Sequence, residues 1–123
     1  MSLCLAAGGK TAVLAFSSFM LAWTHSVEKI EWQEDWRLAA GGLELVEARV
    51  KGSGAGMEPP ENARFDGKWW HYTTDMPPVP QLVLARSGAT ASDWRICLKD
   101  DCKSINTIIG PGKEPVTLSA CAR

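Results

Sequence analysis

The sequence predicts an all-β fold, a single antiparallel β-sandwich-like domain, and three observations carry that prediction. Short apolar runs recur along the 123 residues, separated by glycine- and proline-rich breaks. In the clearest of these runs apolar and polar residues alternate with a period of two, as they do on a half-buried strand. No window holds a sustained 3.6-residue period. The length agrees with one domain spanning 1–123, since domains commonly run to about 100–150 residues.

In chain order, Leu3–Ala7 and Thr11–Phe16 flank a Gly8-Gly9 turn. The apolar stretch from Thr11 to Trp23 also imitates the core of a signal peptide. Its only preceding cation is Lys10 and no clear cleavage motif follows, so strands are preferred. A cytoplasmic location is then expected, with a periplasmic one as the alternative. Phe19–Ser26 and Ile30–Leu38 form the next pair of strands. Leu43–Val50 follows, with an alternation that slips between Leu45 and Val46. A β-bulge absorbs such a slip; a short helix, with Leu43, Val46 and Val50 on one face, is the competing reading. Lys68–Thr73, Gln81–Ala85, Asp93–Leu98, Lys103–Ile108 and Val116–Cys121 complete the expected strands. The proline-rich 75–80 stretch is a stiff connector too short to separate domains.

Hydrophobic residues make up 46% and charged residues 22% of the chain, which excludes a disordered tail, a collagen-like repeat and a polytopic membrane protein. Lys+Arg 13 against Asp+Glu 14 leaves a net charge of −1. No basic field exists to hold nucleic acid, and no nucleic-acid partner is expected.

Four cysteines allow three pairings. Cys97 and Cys102 flank a short loop between two strand-like runs, and in such a hairpin they face each other at a separation a disulfide can span. Cys4 and Cys121 are then left to join the terminal strands. Four reduced thiols in a cytoplasmic protein are the alternative.

The segment 19–38 holds the most informative pattern. Phe19, Leu21, Trp23, His25 and Val27 share one face; Trp32, Glu34, Trp36 and Leu38 share one face of the next strand. Each apolar face carries one ionisable residue, His25 or Glu34. A Glu28-Lys29 turn pairing Val27 with Ile30 sets Trp23 opposite Glu34 and His25 opposite Trp32. His25 and Glu34 are then diagonal neighbours within side-chain reach. A carboxylate among tryptophans is costly unless paired, so a structural His–Glu bond and a ligand-binding or proton-handling pair both fit.

Other constellations are weaker. Ser26 beside His25 suggests a hydrolase, but adjacent strand residues point to opposite faces and no nucleophile elbow is present. Gly52, Ser53, Gly54 and Gly56 resemble a phosphate cradle in composition, without the ending of a P-loop. A glycine turn and a backbone nest for a small anion remain its two readings. In the run Trp69-Trp70-His71-Tyr72, Trp69 and His71 share one face and Trp70 and Tyr72 the other. No cofactor and no metal are expected, because a catalytic zinc site would need both histidines and a carboxylate together.

The runs Trp23 to Lys29 and Glu31 to Trp36, with Glu47 to Pro60, resemble a family of small bacterial proteins known as a domain of unknown function. Members of that family are often encoded beside TAXI-type TRAP transporters, which pair a solute receptor with a membrane permease. The resemblance runs from Leu3 to the Val116–Cys121 strand. It implies a non-enzymatic accessory role in solute uptake, contacting the receptor or permease or binding a small-molecule solute. Some relatives carry an N-terminal export or membrane segment, a pattern from which this chain departs. The alternative from another class is a small hydrolase or metal-dependent enzyme using His25, Glu34 and His71.

Overall fold

A computed structural model describes residues 1–24, 30–51, 62–86 and 94–121. Eleven strands and one short helix are assigned among them. A four-stranded sheet is built from β1 (Ser2–Ala7), β2 (Lys10–Leu14), β8 (Gln81–Leu84) and β11 (Val116–Cys121). Its order is β2-β1-β11-β8. A seven-stranded sheet contains β3 (Ser18–Thr24), β4 (Glu31–Ala39), β5 (Gly42–Lys51), β6 (Arg64–Phe65), β7 (Trp69–Tyr72), β9 (Arg95–Leu98) and β10 (Asp101–Ser104). It runs β10-β9-β3-β4-β5-β7-β6. Pairing between these strands is antiparallel throughout. The fold is therefore an all-β sandwich.

The two sheets meet over one apolar core. Leu3, Leu5, Val116 and Leu118 of the small sheet pack with Phe19, Leu21, Trp36, Leu38, Leu43 and Ile96 of the large one. Burying a Leu- or Phe-sized side chain fully contributes about 1.5–3 kcal/mol, so this cluster dominates the folding free energy. Gly42 ties the layers locally. Leu43 exchanges backbone hydrogen bonds with Val79 at 2.7 and 2.8 Å. A β-carbon on Gly42, whose φ is +125°, would lie 2.1 Å from the Val79 carbonyl oxygen. Only glycine permits that approach.

The slip in the fifth strand is a bulge in a strand. Asp35 pairs with Glu47 and Trp36 with Leu45, leaving Val46 without a partner and 45% exposed. Lys103–Ile108 is a correction: the strand stops at Ser104 and the α-helix α1 (Ile105–Ile109) follows. The Ser104 side chain accepts from the Asn106 N–H, and the Gly110 N–H closes the helix on the Asn106 carbonyl. An N-cap serine and isoleucines spaced by three and four residues suit a helix turn, which buries Ile105 and Ile109 in the core.

Both cysteine pairs are bonded. Cys97 lies opposite Cys102 across the β9–β10 hairpin, with Cα atoms 4.0 Å apart. Cys4 joins Cys121 across β1 and β11, with Cα atoms 5.9 Å apart.

Candidate functional site

The large sheet presents two chemically different faces, because the period of two sends alternate residues of β3, β4, β5 and β7 to opposite sides. The face toward the small sheet carries Leu21, Trp23, Trp32, Glu34, Trp36, Ala48, Val50, Trp70 and Tyr72. The opposite face carries Met20, Gln33, Asp35, Glu47, Arg49 and His71.

On the opposite face, Arg49 is the hub. Its guanidinium donates to both oxygens of Asp35, at 2.7 and 3.0 Å, to Gln33 at 3.0 Å and to Glu47 at 2.8 Å. Those partners arrive because Gln33 is opposite Arg49 and Asp35 is opposite Glu47 in the β4–β5 register. A bidentate guanidinium–carboxylate pair is among the stronger polar contacts available to a protein. Hydrogen bonds donated to Asp35, with burial opposing them, raise the Arg49 pKa further above its ordinary value.

His71 extends the network through β7, where it stands opposite Arg49. Its Nδ1 lies 3.0 Å from Glu47 Oε1 and its Nε2 lies 2.6 Å from Asp66 Oδ2. Both ring nitrogens face carboxylate oxygens, and only an imidazolium donates from both. The hydrogen bonds to Glu47 and then Asp66 accordingly raise the His71 pKa. Asp66 also accepts from the backbone N–H groups of Trp69 and Lys68, at 2.7 and 2.8 Å. Those amides, led by Trp69, and His71 bring its pKa down to about 2. At Glu47, burial pushes upward but is outweighed by the hydrogen bonds from His71 and Arg49. His71 thus stands between two carboxylates that favour its charged form, an arrangement suited to fastening β7 and its turn to β5. Among the described residues, no group of three or more His, Cys, Asp or Glu is placed to hold a metal ion.

The other face ends in an aromatic row. Trp23 is opposite Trp32, Trp32 opposite Val50, Val50 opposite Trp70, and Trp70 opposite Phe65. Trp23 stacks on Trp32 with ring centroids 6.0 Å apart and planes 8° from parallel. Trp94 closes one end on Trp23 at 4.9 Å, and Phe65 packs on Trp70 at the same distance at the other. In the adjoining row, Leu21, Glu34, Ala48 and Tyr72 are successive cross-strand neighbours.

Glu34 sits where the aromatic end meets the core. Burial raises its pKa, against the opposing hydrogen bond from Trp36 Nε1 at 3.1 Å. Tyr72 is raised by burial and then by the Glu34 charge. The Trp70 indole N–H is buried and has no hydrogen-bond partner among the described residues. Such a donor costs about 1–3 kcal/mol when left unpaired.

The expected register is corrected here. Trp23 faces Trp32 rather than Glu34, and Leu21 faces Glu34. This two-residue offset lets the two indoles stack and keeps the carboxyl beside Trp36. Thr24 and Glu31 are the last described pair, and the expected Glu28-Lys29 turn lies outside the described residues. His25 and Ser26 lie outside the described residues, as do Gly52, Ser53, Gly54 and Gly56. Glu34 and His71 stand on opposite faces of the sheet, so the structure does not bring them together. Arg49, Glu47 and Asp66 escaped the sequence reading. The signal was the Glu47-x-Arg49 spacing, which sets an opposite-charge pair on one strand face.

The sequence model of the family described as Domain of unknown function (DUF1850) matches residues 19–105. The chain belongs to that family. The DUF1850 match takes in nearly the whole seven-stranded sheet together with β8, whereas β1, β2 and β11 lie outside it. No curated protein and no solved structure gives a significant match.

Proposed function

We propose that this DUF1850 protein is a non-enzymatic accessory protein of a TAXI-type TRAP solute-uptake system. It contacts the receptor or permease through the aromatic end of its seven-stranded sheet. The observation that carries the reading is the row from Trp94 through Trp23 and Trp32 to Trp70 and Phe65. Its four tryptophans are half-buried and Phe65 is 49% exposed. Large aromatic side chains at a surface are the residues that most often dominate protein contacts. The transporter assignment itself rests on the resemblance to proteins encoded beside such systems.

A bound solute is the second form of this reading, favoured by the Trp70 N–H, which has no partner among the described residues, and by the half-buried Glu34 carboxyl. Solute-dependent stabilisation lost in Glu34→Gln would support it. The enzyme alternative needs His25 beside Glu34, and metal retained by the purified protein would favour it.

The test is a photo-crosslinking residue at Phe65, with Val83 on the small sheet as the control, followed by a pull-down from solubilised native membranes. Val83 is 57% exposed. Recovery of the permease or receptor from position 65 alone supports the reading. Recovery from neither position under mild crosslinking overturns it, and recovery from position 83 alone overturns the choice of surface.

A further inference from the structure

A second polar centre lies at the opposite side of the sandwich, on the small sheet, and stands independently of the transporter reading. Arg86, just beyond β8, reaches into the loop that joins α1 to β11. Its side chain is only 7% exposed. Nε donates to the Glu114 carbonyl at 2.8 Å, and Nη1 donates to the Gly110 carbonyl at 2.8 Å and to Asn106 Oδ1 at 2.9 Å. All three acceptors are neutral. The Glu114 carboxylate is 3.9 Å from Nη2, beyond hydrogen-bond distance, and its side chain is 61% exposed. Among the described residues Nη2 has no hydrogen-bond partner.

A second cation approaches Gly110. A β-carbon on Gly110 would lie 2.9 Å from Lys10 Nζ, while the carbonyl of the same glycine accepts from Arg86. The β-carbon position of Gly112 lies 2.6 Å from Glu114 Oε2 and 3.2 Å from Arg86 Nη2. Lys10, Arg86 and Gly112 line an open cleft of about 540 Å³ between the Gly8-Gly9 turn and the 111–114 loop. Lys113 joins Lys10 and Arg86 in its wall, and Glu114 is the one acid there. The ion pairs among the described residues use neither Lys10 nor Lys113.

Among the described residues, this largely buried guanidinium has only neutral acceptors at hydrogen-bond distance and one exposed carboxylate at 3.9 Å, so its charge is only partly matched. Lys10 and Lys113 in the same cleft wall add positive charge that an oxyanion would match. The cleft has the size of a small-molecule site, about 300–1,000 Å³. We propose that it binds the phosphate or carboxylate group of a small anionic ligand, with Arg86 Nη2 and Lys10 as the primary contacts and Lys113 at the rim. Gly112, with no β-carbon, leaves Nη2 open to the cleft.

The probe is inorganic phosphate, titrated calorimetrically at constant low ionic strength against the full chain, with succinate as the carboxylate. Lys10→Gln and Lys113→Gln are the chief variants, because both side chains are exposed and leave the Arg86 hydrogen bonds intact. Saturable binding that weakens by about tenfold in Lys10→Gln, the loss expected for one charge-assisted contact, supports the site. Vesicles of phosphatidylglycerol in phosphatidylcholine distinguish the source of the group. Binding in solution without co-sedimentation assigns a soluble ligand, and co-sedimentation competed by phosphate and lost in the variants assigns a lipid headgroup. Absence of binding at millimolar phosphate and succinate, without vesicle co-sedimentation, overturns the proposal. So does affinity equal to wild type in the Lys10→Gln, Lys113→Gln double variant.

Discussion

The two faces of the seven-stranded sheet are made by the same strands and solve opposite problems. On the side away from the core, Asp35, Glu47 and Asp66 surround Arg49 and His71, and each ionised group meets a group of opposite charge. On the side toward the core, Glu34 has a tryptophan N–H as its one hydrogen-bond partner among the described residues, and the Trp70 N–H has none. Charge matching requires neighbours on adjacent strands, which an open face supplies freely. A face committed to aromatic packing offers few polar neighbours, so any polar group there carries a cost.

The largest effect should follow from removing the residue that joins the aromatic face to the core. Trp36→Ala, at a position 3% exposed, should cost about 3–5 kcal/mol in chemical denaturation. Trp36→Phe keeps most of the packing and deletes the donor to Glu34, so its loss should be smaller, about 1 kcal/mol. Equal losses would show that the hydrogen bond, not the packing, supports this part of the sheet.

Arg49→Ala should rank second, at about 1–3 kcal/mol, because it strands the Asp35 and Glu47 carboxylates together. Its side chain is 14% exposed, so solvent screens the pair only in part. A double-mutant cycle with Asp35→Asn checks the coupling; strict additivity would mean the guanidinium contact contributes nothing specific.

The smallest effect is a contrast in pH dependence between the faces. The raised His71 pKa gives a contribution present below the unfolded value of about 6.5 and lost as pH rises through the folded value. The lowered Asp66 pKa gives one present above about 4 and lost as pH falls toward the folded value of about 2. The network is therefore most stabilising between these limits, and His71→Gln should cost at most about 1 kcal/mol near pH 5 and less above pH 8. Glu34 shares the direction of His71 with pH but differs in cause, since burial disfavours its charged form whereas the carboxylates favour that of His71. Its raised pKa means that stability falls as pH rises through the folded value, so Glu34→Gln should be neutral near pH 4 and neutral to stabilising at pH 7. Urea midpoints of the wild type and both variants across pH 4–8 read the contrast directly.

Much of this frame was legible in the chain itself. Alternation located most of the strands, and the slip at Val46 located the bulge, because both follow from the local geometry of a pleated strand. The opposition of Cys97 and Cys102 followed from a short hairpin. The Trp23–Glu34 register did not hold, since the choice between registers two residues apart leaves every side chain on its own face. It was settled by ring stacking and the position of Trp36. The α1 segment read as a strand because five residues are too few for a period to emerge.

By itself, then, the sequence determined what each strand would present: an apolar face, a charged face and a bulge between Leu45 and Glu47. Which of those residues meet was decided only by tertiary structure. His71 finds Glu47 and Asp66 because β5, β6 and β7 pair side by side, and Lys10 and Arg86 line one cleft because the small sheet gathers β2 and β8 from distant parts of the chain. Local periodicity specifies the direction of a side chain, whereas electrostatic partnership depends on distances that only long-range pairing creates.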